Sequence, residues 1–202
     1  MPLLLPAFDE AMADLIAVGR RSLVQISNLS TGVGAGTIWH PDGLIVTNAH
    51  VVQHARDLRV TLDTGETLRG AVAAIDPAQD LAAVIVEAHG LPCVTLGKPR
   101  AVRSGQWVVA IGHPFGTIGA ATAGTVIGLV DGLPEYGGAS AWIALSLSLR
   151  PGHSGGPLLD ASGRLVGINT MITGPEVGYA VPVQTAAEFL KHQVRVDVIR
   201  SA

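Results

Sequence analysis

The spacing of apolar positions changes near Arg21, and the change divides the chain. Ahead of it, Phe8, Met12, Leu15 and Ile16 recur at helical spacing, with Asp9, Glu10 and Asp14 among them. This predicts a short amphipathic helix over residues 8–19, ended near Gly19, with its acids toward the N-terminal end where the helix dipole favours them. After Arg21 the apolar residues alternate or fall in short runs: 23–26, 36–39, 43–47, 58–62, 67–72 and 81–86. Turn formers such as Pro41-Asp42-Gly43 and Asp63-Thr64-Gly65 separate them, so about six strands are expected in the first half.

A polar stretch from Gly97 to Gly105 interrupts the pattern and reads as a linker. A second set of short apolar segments follows at 107–111, 120–130, 142–147, 157–159, 165–168 and 178–181. Short strands at regular spacing without intervening helices favour a β-sandwich or barrels over a parallel sheet. The pattern returns to helical near residues 184–194, where Thr185 and Glu188 have the spacing of a capping box ahead of Phe189 and Leu190.

Composition narrows the function classes. A formal charge of −3 without any basic run leaves no electrostatic footprint for nucleic acid. The longest uncharged stretch, Ser104 to Val130, is broken by glycines, Pro114 and His113, and does not read as a membrane span. Cys93 is the only cysteine, so no intrachain disulfide can form. That fits a reducing compartment, or a core that needs no staple. The apolar patch at Leu3-Leu4-Leu5 lacks a basic flank and meets acid at once, which is not a secretory pattern. The expectation is therefore a cytoplasmic protein.

Candidate chemistry lies in three settings. Arg150-Pro-Gly-His-Ser154-Gly-Gly-Pro157 puts a serine among glycines, Thr47-Asn48-Ala49-His50 carries a histidine, and Asp76-Pro77-Ala78-Gln79-Asp80 an aspartate. Serine, histidine and aspartate together suit acyl transfer: a nucleophile, a base to take its proton, and a carboxylate to fix the base's tautomer. Glycine permits the sharp turn that converges successive N–H groups on one oxyanion. Blander readings compete. Ser154 could be an ordinary turn serine. His50 and His54, at i and i+4, could bind zinc, but a zincin needs glutamate where Val51 stands. Glycines 32, 34 and 36 suggest a phosphate loop, but they lead into a strand and not a helix. No metal or cofactor is expected.

In the order His50, Asp80, Ser154, with Gly43-Leu-Ile-Val-Thr-Asn-Ala-His50-Val-Val52, Asp80-Leu-Ala82, Ile111-Gly-His-Pro-Phe-Gly116, Gly152-His-Ser-Gly-Gly-Pro-Leu158 and Gly167-Ile-Asn-Thr170, the chain resembles the HtrA/Deg serine proteases of the trypsin fold. The resemblance covers about residues 22–195. It implies a mainly β protein with two six-stranded antiparallel β-barrels of the trypsin/chymotrypsin type and short N- and C-terminal helices. The expected layout is a helical segment over 1–21, a first barrel over 22–97, a linker over 98–105, a second barrel over 106–183 and a C-terminal helix and tail over 184–202. No PDZ domain is expected beyond it.

The resemblance also implies roles. Ser154 is the expected nucleophile, His50 the general base and acid, and Asp80 the carboxylate, with Asp76 as its rival. Backbone N–H groups of Gly152 and Ser154, with His153 assisting, are the expected oxyanion hole. Ser148 and Leu149 are expected at the primary specificity pocket, implying small to medium aliphatic P1 residues. Asn169, Thr170 and Met171 are expected to pair with extended substrate. Family members usually carry Asn before the nucleophile. His153 here either adds a donor or a pH-dependent charge or, as the plainer reading, is simply solvated. The expected partner is unfolded or exposed polypeptide, and the family implies a homo-oligomer, a trimer formed through an N-terminal segment. Phe8 and its helix either serve that assembly or pack on the chain's own barrel. The competing reading is a non-catalytic or activator-dependent peptide-binding, chaperone-like module, and a third is hydrolysis of small esters.

Overall fold

The computed structural model describes residues 4–28, 32–53, 55, 57–98, 102–133, 141–173 and 177–194. After helix α1 (Leu4–Arg20), a first set of six strands comprises β1 (Leu23–Asn28), β2 (Gly32–His40), β3 (Leu44–Thr47), β4 (Leu58–Thr61), β5 (Thr67–Asp76) and β6 (Leu81–Val86). A single helical turn, α2 (Ala49–Val52), follows β3. The second set is β7 (Trp107–Gly112), β8 (Ala120–Asp131), β9 (Ala141–Ser146), β10 (Pro157–Asp160), β11 (Leu165–Thr173) and β12 (Val177–Pro182), closed by helix α3 (Val183–Gln193).

Each set closes into an antiparallel barrel, in the orders β1-β2-β3-β6-β5-β4 and β7-β8-β9-β12-β11-β10. The second order repeats the first six strands later. This is the trypsin-like architecture the motifs implied.

The apolar runs explain how the barrels meet. In β6, Ala82 and Val84 fill the first barrel, while Leu81 and Ala83 belong to the cluster between the barrels. In β7, Val108 and Ala110 fill the second barrel, while Val109 and Ile111 face that same central cluster. Strands buried on both faces lose the polar alternation of a half-exposed sheet. β5 is on the outside and is largely exposed. Phe189 and Leu190 of α3 join the central cluster, with Leu159 and Leu165 from the second barrel. The segment before the predicted linker ties the barrels together: Val94 N–H donates to Ile38 O at 3.0 Å, and Leu165 N–H to Thr95 O at 2.8 Å.

Two local expectations need correction. α1 begins at Leu4, because Pro6 falls within its first turn, where a missing N–H breaks no helical bond. Its first turn therefore contains no acid, and the predicted dipole interaction is lost. The capping box is absent as well. β12 runs directly into α3 through Pro182, whose side chain makes no cap bond, and Thr185 lies inside the helix. α1 itself packs on β7, where Phe8 stacks edge-on against Trp107 with ring centroids 6.1 Å apart.

Because Leu159 is fully buried where the barrels meet, Leu159→Ala is expected to cost about 2–5 kcal/mol. In urea titration both barrels should still unfold in one shifted transition. Loss of one barrel's signal alone would show that the central cluster does not couple them.

Candidate active site

β3 and β6 are neighbours, with Thr47 opposite Ala82, so the chain leaving β3 lies beside the chain entering β6. His50 follows on α2, and Asp80 immediately precedes β6. Between β5 and β6, Asp76 Oδ1 accepts the N–H groups of Ala78 (3.0 Å) and Gln79 (3.2 Å). Asp76 is thus a turn former, and Asp80 is the carboxylate that meets the histidine. His50 Nδ1 lies 2.9 Å from Asp80 Oδ2 and 3.0 Å from Oδ1, and the backbone N–H of His50 donates to Oδ1 at 3.1 Å. The carboxylate is almost wholly buried, and the imidazole is half exposed. An ionised carboxylate against Nδ1 holds the proton there, leaving the Nε2 lone pair free to accept.

Thr170 supplies a contact the sequence reading did not foresee. Its hydroxyl donates a hydrogen bond to Asp80 Oδ2, and its carbonyl accepts the Ser154 hydroxyl at 2.6 Å. The serine therefore points to Thr170 O, and no hydrogen bond links it to His50. Asn169 is likewise committed within the fold. It is fully buried, its carbonyl accepts from Gly155 N–H (2.8 Å), and its N–H donates to Gly156 O (2.9 Å). Asn169 is therefore a strut of the serine turn and offers no edge to a substrate. Beyond Ile168, β11 has no β10 partner, which leaves one backbone edge of 170–173 unpaired among the described residues.

The serine turn is held from both barrels. Ala35 N–H donates to Ser154 O at 2.8 Å, Thr37 Oγ1 to Gly155 O at 3.1 Å, and His113 N–H to Gly152 O at 2.8 Å. Gly155 has φ +86, and a Cβ there would run into Ala35 O and Thr47 Oγ1, so only glycine fits. Gly152, at φ +104, is pressed in the same way against the His113 main chain. Among the described residues, the N–H groups of Gly152 and Ser154 find no acceptor. They open on a cleft of about 180 Å³ lined by His50, Val33 and Pro151 among others. The His153 N–H donates to Arg150 O at 3.0 Å, so its expected share in an oxyanion hole is corrected.

His153 is not solvated either. Its ring is buried, with Nδ1 3.1 Å from both the N and the O of Arg150. His113, equally buried, accepts the Gly119 N–H on Nδ1 at 3.3 Å. Among the described residues the Nε2 of His153 has no hydrogen-bond partner, while the His113 ring also interacts with the Val24 backbone. Burial lowers the pKa of both below 6.5, and the charges of Arg20 near His113 and Arg150 near His153 act in the same direction. The sequence carried no sign of this beyond two histidines beside glycines.

Of the pocket residues, Ser148 is exposed and Leu149 belongs to the core of the second barrel, packed on Gly178. Met171 continues β11. His54 lies outside the described residues, among which no group of three His, Cys, Asp or Glu is placed to hold a metal. Among them also, no helix is long and apolar enough to cross a membrane.

Residues 34–168 match the trypsin-like peptidase domain. HhoB of Synechocystis sp., whose name describes it as a candidate serine protease, is 41% identical over 160 residues, covering 77% of this chain and 38% of its own. A protein of Halomonas elongata named as a probable periplasmic serine endoprotease, DegP-like, is 37% identical over 172 residues, 82% of this chain and 35% of that one. The chain thus spans little more than a third of these relatives. Among solved structures, the HtrA-type protease AlgW with decapeptide superimposes with a TM-score of 0.81 at 26% identity, over 90% of this chain and 67% of that one. The DegP-like names also correct the cytoplasmic expectation, since they point to the periplasm. A lone cysteine cannot form an intrachain bridge in any compartment, so the cysteine count could not discriminate.

The two buried histidines set an expected pH dependence. Their folded pKa values lie below the unfolded 6.5. As pH falls between those values, the unfolded chain binds protons that the folded one does not. Stability is full above 6.5 and declines below it, by up to about 1.4 kcal/mol per pH unit for each histidine. Urea unfolding at a series of pH values should show a shallower acid-side decline in His153→Asn than in wild type. Equal slopes would mean that His153 is protonated as readily folded as unfolded.

Proposed function

The chain belongs to the trypsin-like peptidase family, in its HtrA/Deg branch, and on that premise we propose that it is a serine endopeptidase acting through Ser154, His50 and Asp80. The observation that carries the reading is the His50 Nδ1 bond to the buried Asp80 carboxylate, which presents a basic Nε2 to the cleft. In the proposed reaction Ser154 Oγ leaves the Thr170 carbonyl, gives its proton to His50 Nε2 and attacks the scissile carbonyl carbon. The Gly152 and Ser154 N–H groups receive the oxyanion, a contribution of roughly 3–4 kcal/mol per donor in comparable enzymes. The imidazolium then protonates the leaving amine as the C–N bond breaks. Water, deprotonated by the same Nε2, hydrolyses the acyl-enzyme and returns the proton to Ser154. The scheme requires no metal or cofactor.

The substrate we propose is extended polypeptide, paired along the unpaired edge of β11 at Thr170 and Met171. We propose Ser148 for the base of the primary pocket; a neutral residue there would offer no carboxylate to a basic side chain, which favours small to medium aliphatic P1 residues. We place the protein outside the cytoplasm, as the DegP-like relatives are. The homo-oligomer implied by the family is part of the same proposal; Phe8, which packs on Trp107 of its own barrel, is not assigned to its contact. One observation favours the second reading, an activator-dependent form: the serine hydroxyl is held by Thr170 O and not by His50.

Fluorophosphonate labelling and casein digestion near pH 8 test the proposal. Wild type should do both, and Ser154→Ala neither. His50→Ala should lose roughly a millionfold in turnover. Failure of well-folded wild type to label would move the assignment to the activator-dependent form. In a peptide library, cleavage should follow Ala, Val and Leu, and cleavage chiefly after Lys or Arg would sink the pocket assignment.

A further inference from the structure

We propose that Asn48 is a positioning residue of the triad, whose buried amide holds Asp80 in the left-handed backbone conformation from which its carboxylate reaches His50. The inference rests on the protease reading above and extends it. Asp80 has φ +50, one of two non-glycine residues at positive φ among those described. Aspartate visits this region more readily than most residues but still prefers to leave it. Something must hold it there, and Asn48 Nδ2 donates to the Asp80 carbonyl at 2.8 Å. The carboxylate of the same residue is fixed two positions further on, by the backbone N–H and Nδ1 of His50. The chain leaving β3 therefore grips Asp80 at both its main chain and its side chain.

Two observations show that the ordinary explanations for this asparagine fail. Asn48 occupies the N-cap position of α2, where asparagine usually accepts a backbone N–H, yet its side chain makes no cap bond. It is fully buried, and its Oδ1 has no hydrogen-bond partner among the described residues. An orphan buried acceptor disfavours the fold, and a small apolar side chain would avoid it. The donor is what the position uses. Its removal would free Asp80 to relax toward ordinary φ, swinging the carboxylate away from Nδ1 and releasing the tautomer of His50.

Asn48→Asp and Asn48→Ala test this. The first is isosteric and replaces the donor with an acceptor facing the Asp80 carbonyl. The second removes the donor without adding a buried charge, and keeps the test decidable if the acidic variant does not fold. The readouts are the labelling rate with a fluorophosphonate, kcat and KM on a peptide, and the far-downfield proton resonance of the His50 Nδ1–H bound to Asp80. In folded variants, labelling and kcat are expected to fall on the order of a hundredfold with KM unchanged, and the resonance to vanish. Folded variants with wild-type rates and an intact resonance would overturn the proposal. If wild type neither labels nor cleaves, the protease reading fails and the resonance alone decides. Its presence in wild type and loss in the variants sustains the role of Asn48, while its absence from wild type, or its persistence in the variants, overturns it.

Discussion

The geometry of the cleft depends on a few hydrogen bonds that cross between the barrels. Ala35 and Thr37 of β2 hold the carbonyls of Ser154 and Gly155, and Asn169 of β11 closes the same turn from the other side. These bonds fix the serine relative to a histidine that belongs wholly to the first barrel. They are made in a region where the central apolar cluster excludes water, so each unmade partner would remain a buried, unsatisfied group. That penalty gives the seam its register. It also explains the absolute demand for glycine at 155, since the approach of the β2 backbone leaves no volume for a side chain.

The same seam concentrates polar groups where the fold tolerates them least. Asp80, Asn48, Asn169, His113 and His153 are all buried within this region. Asp80 is compensated by His50 and Thr170, but among the described residues Nε2 of His153 and Oδ1 of both asparagines are left without partners. A core built only for stability would place apolar groups at such positions. The cost is borne next to the groups that would perform chemistry, and the apolar interiors of the two barrels offset it elsewhere.

Much of this was legible beforehand. The short apolar runs at β3, β6 and β7 announced strands, and the regular turn signals announced many of them; that these three are buried on both faces is a finding of the structure. Ser154, His50 and Asp80 stood out by their settings, while Asp76 remained a rival of Asp80 until its turn bonds to Ala78 and Gln79 separated the two. The failures were local. The helices begin at Leu4 and Val183, ahead of the bounds the periodicity predicts, with Pro6 in the first turn of one and Pro182 at the N-cap of the other. The resemblance implies a substrate edge at Asn169, but motif similarity does not state that its backbone is already bonded to Gly155 and Gly156. The burial of His153, of which solvation was the plainer expectation, comes from a turn that folds back on Arg150, a contact between residues only three apart whose geometry depends on the rest of the loop.

By itself the sequence determined the two sets of six strands, the residues able to carry acyl-transfer chemistry and the glycines that let the serine turn exist. These follow from periodicity and from the conformational range of single residues, which are local properties. Only the tertiary structure decided that Thr170 meets both Asp80 and Ser154, that Asn48 reaches the Asp80 carbonyl, and that two histidines are sealed from water. Each of those depends on segments between 16 and 90 residues apart, or on the closure of a loop against a barrel. A side chain's partner across such distances is set by packing, and no local preference encodes it.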